Sequence, residues 1–126
     1  MANNALRFLI VDDFSTMRRI VRNLLKESGF SEADEAEDGV AALHKLRNSK
    51  FDFVVTDINM PNMNGFQATR AISKDDSTKH IPVMIVSTKG MEVDQAWGMR
   101  QGARDYMVKP VKEADFISRI SAILGG

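Results

Sequence analysis

Four short apolar runs in this chain each stop on a residue that can do chemistry. Phe8-Leu9-Ile10-Val11 runs into Asp12-Asp13, and Phe53-Val54-Val55-Thr56 ends at Asp57. The run Val83 to Val86 ends at Ser87-Thr88, and Tyr106 to Val108 ends at Lys109-Pro110. If these runs are neighbouring strands of one parallel sheet, three carboxylates, hydroxyls and one ammonium meet at its carboxyl edge. Three carboxylates so close repel one another, and at least one takes up a proton unless a cation neutralises them. Oxygen donors without His or Cys select a hard cation, which makes Mg²⁺ the candidate cofactor. Mg²⁺ takes one or two carboxylates together with a substrate phosphate, so the patch suits a phosphoryl group. Lys109 would balance the charge on the phosphoryl oxygens and Ser87 would hydrogen-bond to one of them. A carboxylate in that setting can itself attack phosphorus and form an aspartyl phosphate. Taken alone, Asp12, Asp13, Asp57 or Ser87 is an ordinary turn residue after a strand. Their arrival on one sheet edge is what carries the inference.

The elements that must position them are legible from periodicity. The four runs are rich in β-branched or aromatic residues and too short for helices, so they read as strands buried on both faces. A more polar stretch, Ala33 to Ala36, reads as an edge strand. Helical patterns lie between. Met17, Ile20, Val21, Leu24 and Leu25 fall on one face, with Ser15 placed to cap that helix and Gly29 to end it. Arg18, Arg19, Arg22 and Lys26 fall on the opposite face and read as solvated. Val40, Leu43 and Leu46 mark a second helix, and Phe66, Thr69 and Ile72 a third. Met91, Ala96 and Trp97 mark a fourth that stops near Gly102, and Phe116, Ile117, Ile120, Ile123 and Leu124 a fifth before Gly125 and Gly126. Five strands alternating with five helices predict an α/β fold with a parallel sheet between helices. For a chain this short the expected architecture is the flavodoxin-like doubly wound sheet in the order 2-1-3-4-5. Ligands in such sheets sit beyond the carboxyl ends of the strands, beside the point where strand order reverses.

Composition narrows the function classes. At 126 residues the chain fits one domain. Seventeen Lys plus Arg balance 17 Asp plus Glu, which argues against a nucleic-acid partner held by bulk charge. Without cysteine, a disulfide framework, a Cys-based zinc site and a thiol nucleophile are excluded. The pair His44 and His80 has no metal-ligand spacing. No apolar run reaches the roughly 20 residues that span a bilayer, and residues 1–7 carry no signal segment, so a cytoplasmic address is expected.

These residues, over the whole chain, resemble a receiver domain of a two-component response regulator. Val11-Asp12-Asp13-Phe14-Ser15-Thr16-Met17-Arg18-Arg19 and Glu35-Ala36-Glu37-Asp38-Gly39 are similar to the chemotaxis subgroup. Asn59-Met60-Pro61-Asn62-Met63 and Val108-Lys109-Pro110 complete the pattern. The resemblance implies Asp57 as phosphoacceptor, Asp13 as a direct Mg²⁺ ligand, Asp12 acting on the metal partly through water, and the Asn59 backbone carbonyl completing the site. It implies that Ser87 and Lys109 hold the phosphoryl group, that the Lys109-Pro110 bond is cis, and that Tyr106 is an aromatic switch. A histidine kinase is the implied phosphodonor, with a motor-switch or other effector, and a phosphatase, as further partners. Such a domain is a monomeric signalling protein that catalyses only its own phosphorylation and dephosphorylation. With all 126 residues in the receiver, output is expected through its surface.

That surface is where the chain departs from flagellar relatives. From Gly65 through Tyr106 it looks more like receivers of pilus-driven twitching systems. Gly90, Glu92, Gln95, Tyr106, Val108 and Arg119 form the expected output face, made by the fourth helix, fifth strand and fifth helix. Glu92 stands where flagellar relatives carry a lysine, and a reversed charge there would cost an acidic motor peptide several kcal/mol. Thr88 and Lys89 lie near the expected path of water to the phosphate, so Lys89, with Asn59, is expected to tune dephosphorylation. A phosphate sink or a pilus-type regulator are the alternative roles. A Mg-dependent phosphohydrolase of the haloacid dehalogenase type is the rival of another class, but it expects a second Asp where this chain has Asn59. A flavodoxin proper would have its flavin phosphate repelled by Asp12-Asp13.

Overall fold

A computed structural model describes residues 6–30 and 32–125. Residues 1–5 and the terminal Gly126, named above in the signal-segment and helix-end readings, lie outside the described residues. The elements run β1 (Arg7–Val11), α1 (Ser15–Glu27), β2 (Glu32–Ala36), α2 (Gly39–Asn48) and β3 (Phe53–Thr56). They continue as α3 (Gly65–Lys74), β4 (Val83–Ser87), α4 (Glu92–Arg100), β5 (Asp105–Val108) and α5 (Glu113–Gly125). The five strands are parallel, as the alternation predicts, and lie in the order β2-β1-β3-β4-β5 expected of a flavodoxin-like sheet.

Side chains alternate across the sheet and divide the core in two. On one face Phe8, Ile10, Phe53, Val55, Met84 and Val86 pack with Val21 and Leu25 of α1 and Phe116 and Ile120 of α5. On the other, Leu9, Val11, Val54 and Val83 pack with Ala42 and Leu46 of α2 and Ile72 of α3. A smaller cluster of Ile58, Ile85, Ala103 and Tyr106 lies apart from both. α4 is set differently: Gly98 is its one buried residue, and Met91, Val93, Trp97 and Met99 are exposed. The apolar pattern that announced α4 is therefore not a core stripe.

β2 reads Glu-Ala-Asp-Glu-Ala and pairs with β1 alone, so its polar side chains line an open sheet edge. Ion pairs tie it to the flanking helices, Lys45–Asp34 at 3.0 Å, Arg18–Glu35 at 2.8 Å and Arg22–Glu35 at 2.9 Å. This corrects the reading of the α1 basic residues as a solvated face: Arg19 and Lys26 are exposed, but Arg18 and Arg22 are drawn down to Glu35. Ser15 does not cap α1 either. The helix begins at Ser15 itself, so the cap residue is Phe14, whose side chain has no atom to cap with; the Phe14 N–H is accepted by Asp12 Oδ1 at 3.0 Å.

The remaining helix starts follow from side-chain chemistry. Asn64 and Gln67 form a reciprocal capping box at α3. Asp38 caps α2, with Oδ1 accepting the Ala41 N–H and Oδ2 the Asn62 side-chain amide, both at 2.8 Å. These two bonds, the Ala41 one foremost, hold the Asp38 carboxyl below its ordinary value. A depressed folded pKa adds stability that is present above about pH 4 and lost as pH falls through the lowered value. Asp38→Ala is expected to cost about 1 kcal/mol at neutral pH and to shrink the acid limb of a stability–pH profile. Asp38→Asn retains the cap but not the pH dependence; equal acid limbs in all three proteins would refute this.

Candidate functional site

Register brings the strand ends together. Val11 pairs with Thr56, so Asp12 and Asp57 emerge side by side, and the Asp57 N–H bonds the Val11 carbonyl at 2.9 Å. Ser87 pairs with Val108, and the Lys109 N–H bonds the Ser87 carbonyl at 2.8 Å. Asp12, Asp13 and Asp57 each offer a carboxylate oxygen, and these oxygens lie within 4.8 Å of one another. Lys109 Nζ stands 3.3 Å from Asp12 Oδ2 and 3.4 Å from Asp57 Oδ2. The Lys109-Pro110 bond is cis, as the resemblance implied.

The environment differs between the three acids. Asp12 and Asp57 are buried and Asp13 is exposed. Burial raises the Asp12 carboxyl above its ordinary value, and the Asp57 charge adds to this; the Phe14 N–H and Lys109 lower it without cancelling the rise. One ammonium is thus not enough for this pocket. A second cation fits it, and an all-oxygen donor set suits Mg²⁺. Asp57 is held by its surroundings: Oδ1 accepts the Ile58 N–H at 2.7 Å, and its main-chain carbonyl accepts the Thr56 hydroxyl at 2.9 Å. Gly65, first residue of α3, comes closer still, since a Cβ there would stand 1.9 Å from the Asp57 carbonyl oxygen.

A hydrogen-bonded path leads away from the acids. The buried Ser87 hydroxyl oxygen accepts the Lys89 N–H at 3.2 Å, and the Lys89 carbonyl accepts the Tyr106 hydroxyl at 2.6 Å. Tyr106 is 5% exposed, with its ring turned into the protein, and burial pushes its phenol above the ordinary value. Gly98 makes the space: a Cβ there would stand 2.9 Å from both Ile85 Cδ1 and Tyr106 Cδ2. Tyr106 also lines a groove of about 450 Å³ between α4, β5 and α5, together with Gln95, Met99, Val108, Asp105 and Arg119. Arg119 spans its floor, pairing with Asp105 and Asp115 at 3.1 Å each and donating to the Tyr106 carbonyl at 3.1 Å. Glu92 and Gly90 are exposed at the start of α4 and in the turn before it, and the Gly90 carbonyl accepts the Gln95 side-chain amide.

The expected chemical residues therefore meet: Asp12, Asp13, Asp57 and Lys109 at one point, with Ser87 on the adjoining strand end. Asn59 is exposed two residues beyond Asp57, and Lys89 joins Ser87 to Tyr106 through its own backbone. Sequence reasoning missed Arg18, whose Nη1 donates to the Asp12 carbonyl at 2.6 Å. It also missed the packing roles of Gly65 and Gly98. An Asn-Gly pair before a helical pattern marks a helix start, but no residue pattern ties Gly65 to Asp57, or Arg18 to the Asp12 carbonyl and to Glu35 on β2.

Comparison with known proteins gives a consistent picture. The family model described as a response regulator receiver domain matches residues 8–121. The chain is 42% identical over 121 residues to chemotaxis protein CheY-3 of Vibrio cholerae, covering 96% of this chain and 93% of that protein. It is 48% identical over 122 residues to protein PilH of Pseudomonas aeruginosa, covering 95% and 98% respectively. Among solved structures, Vibrio cholerae CheY4 matches with a TM-score of 0.86 and 29% identity, covering 94% of this chain and 98% of that one. CheY in the CheX-CheY-BeF3-Mg complex of Borrelia burgdorferi matches with a TM-score of 0.88 and 30% identity, covering 94% and 89%.

Proposed function

Because the chain belongs to the response regulator receiver domain family, we propose that it accepts a phosphoryl group on Asp57 from the phosphohistidine of a kinase and relays that event to a protein partner in chemotaxis or motility. The observation that carries the reading is the placement of Lys109 Nζ within 3.4 Å of Asp12 and Asp57 while a third acid, Asp13, stands exposed beside them. Asp57 attacks phosphorus through a carboxylate oxygen; the donor's N–P bond breaks, and the leaving imidazole keeps the electron pair and takes up a proton. Lys109 holds its ammonium against the phosphoryl oxygens as their charge develops. Ile58 N–H fixes the orientation of the Asp57 carboxylate through Oδ1. Asp12, Asp13, Asp57 and the Asn59 carbonyl would hold Mg²⁺, which when bound neutralises phosphoryl charge as a Lewis acid.

Ser87 supplies a hydroxyl to the phosphoryl group. Any movement it makes is felt at Lys89 and at Tyr106, because the three are joined by hydrogen bonds in a closely packed region. Tyr106 lines the α4–β5–α5 groove, so the state of Asp57 alters the affinity of that face for a partner. Dephosphorylation is tuned by Asn59 and Lys89, which flank the site. The domain works in the cytoplasm as a monomer, with the whole 126-residue chain as one receiver. Two observations favour a pilus-type over a flagellar output: the 48% identity to PilH, and the acidic Glu92 at an exposed position beside the groove.

Incubation with Mg²⁺ and acetyl phosphate is expected to add one phosphoryl mass to the wild type and none to Asp57→Asn. A wild type that stays unmodified, or a variant labelled equally, overturns the reading. Pull-downs with the beryllofluoride-activated protein, comparing flagellar-switch with pilus-motor components, decide the output.

A further inference from the structure

Asp12 has a partner for each of its polar groups. Its N–H donates to the Ala36 carbonyl of β2 at 3.1 Å, Oδ1 accepts the Phe14 N–H and Oδ2 faces Lys109. Its carbonyl is taken by Arg18, whose Nη1 lies 2.6 Å away. The guanidinium is itself fixed, since Arg18 Nε donates to Glu35 Oε1 at 2.8 Å, and the second Glu35 oxygen forms an ion pair with Arg22, 2.9 Å from its Nε. Arg18 is only 17% exposed, so these bonds are shielded from water. The carbonyl it grips belongs to the peptide joining Asp12 to Asp13. Among the described residues no hydrogen bond or ion pair holds the Asp13 side chain, so the backbone at that peptide is what fixes the point from which its carboxylate reaches the site.

We propose that Arg18, braced by Glu35, is a positioning residue for the Asp12-Asp13 pair, and that it raises the affinity of the site for Mg²⁺ by fixing the peptide between the two acids. The inference rests on the metal-dependent reading above. Two effects of Arg18 oppose each other here. Its positive charge repels a cation, while its hydrogen bond pre-orients two carboxylates. Glu35, at 2.8 Å, offsets the charge, whereas nothing else in the described residues replaces the bond to the Asp12 carbonyl. Positioning therefore wins, and removing Arg18 weakens Mg²⁺ binding even though it deletes a like charge. Lysine at 18 keeps the charge but lacks the planar fork that reaches Asp12 and Glu35 together.

Calorimetric titration of the full chain with Mg²⁺ tests this. Arg18→Ala is expected to raise the Mg²⁺ Kd about tenfold, the lower end of what outer partners of metal sites contribute. Arg18→Lys should raise it by a smaller factor. Acetyl phosphate labelling of both variants should recover at saturating Mg²⁺, which a general loss of structure would not allow. Either variant binding Mg²⁺ as tightly as wild type, or more tightly, overturns the proposal. If Arg18→Ala melts below the assay temperature, Arg18→Lys alone decides. A wild type that binds no Mg²⁺, or Asp13→Asn binding it equally well, overturns instead the metal-site reading beneath the proposal.

Discussion

Gly65→Ala is expected to destabilise the chain by about 3 kcal/mol and to slow Asp57 labelling by roughly a hundredfold. The added Cβ would meet three backbone atoms, the Asp57 carbonyl oxygen at 1.9 Å, its carbon at 2.8 Å and the Ile58 Cα at 2.9 Å. No side chain can rotate to make room, so α3 must separate from the end of β3. That separation also stretches the Gly65 N–H to Ile58 carbonyl bond, now 2.9 Å, and moves Asp57 relative to Lys109. A shift of about 1 Å at a reacting group is enough for the rate loss. Gly125→Ala is the control, because a Cβ there meets nothing within 4 Å. Thermal melts and acetyl phosphate labelling of the folded protein read both effects. A Gly65→Ala variant that labels at the wild-type rate would show that α3 does not position Asp57.

Lys109→Met is the second large effect, and it separates charge from packing. The unbranched side chain keeps most of its length, but the ammonium between Asp12 and Asp57 is gone. All three side chains are at most 15% exposed, so the two acids lose a shielded counter-charge, at a cost of about 3 kcal/mol near neutral pH. The pH dependence has a definite sign. Burial already raises the Asp12 carboxyl, and loss of Lys109 raises it further. A raised carboxyl favours the protonated folded state, so the penalty grows as pH rises through the ordinary carboxylate range and fades as pH falls. The oxygen donors for Mg²⁺ all remain. At saturating Mg²⁺ the variant should still label about a hundredfold more slowly, through loss of charge stabilisation on the phosphoryl oxygens. Lys109→Arg retains the charge and much of the stability. A Lys109→Met penalty that does not shrink as pH falls through the ordinary carboxylate range, about pH 4, would refute the electrostatic account.

The site's chemistry was legible because it sits at strand ends. Lys109 is 97 residues from Asp12 and 52 from Asp57, yet their meeting followed from four apolar runs and the strand order of an alternating α/β chain. Once the strands are parallel neighbours in register, whatever follows each of them must converge. The edge strand was recognised for the same reason in reverse, its polar residues marking a sheet margin. What could not be read were contacts that depend on how a helix is rotated and how deeply it sinks. Arg18, Arg19, Arg22 and Lys26 share one helix face in the periodicity, but only Arg18 and Arg22 turn toward Glu35. Ser15 looked like a cap because serine often is one, but the helix begins at Ser15 itself, which puts Phe14 in the cap position. The apolar residues of α4 suggested burial, but the helix rides on Gly98 and leaves Trp97 half exposed.

By itself, then, the amino-acid order determined the strands and the residue types at their ends, because pleat period and strand termination are local properties of the chain. Tertiary structure decided which of those residues are held and by what. It placed Gly65 against Asp57, tucked Tyr106 beneath Gly98, and fastened Arg18 to the peptide between two acids. Each of these is set by a close approach of backbones or by the angle at which a helix packs. Such quantities come from the summed fit of the whole core, and no local pattern of residues encodes them.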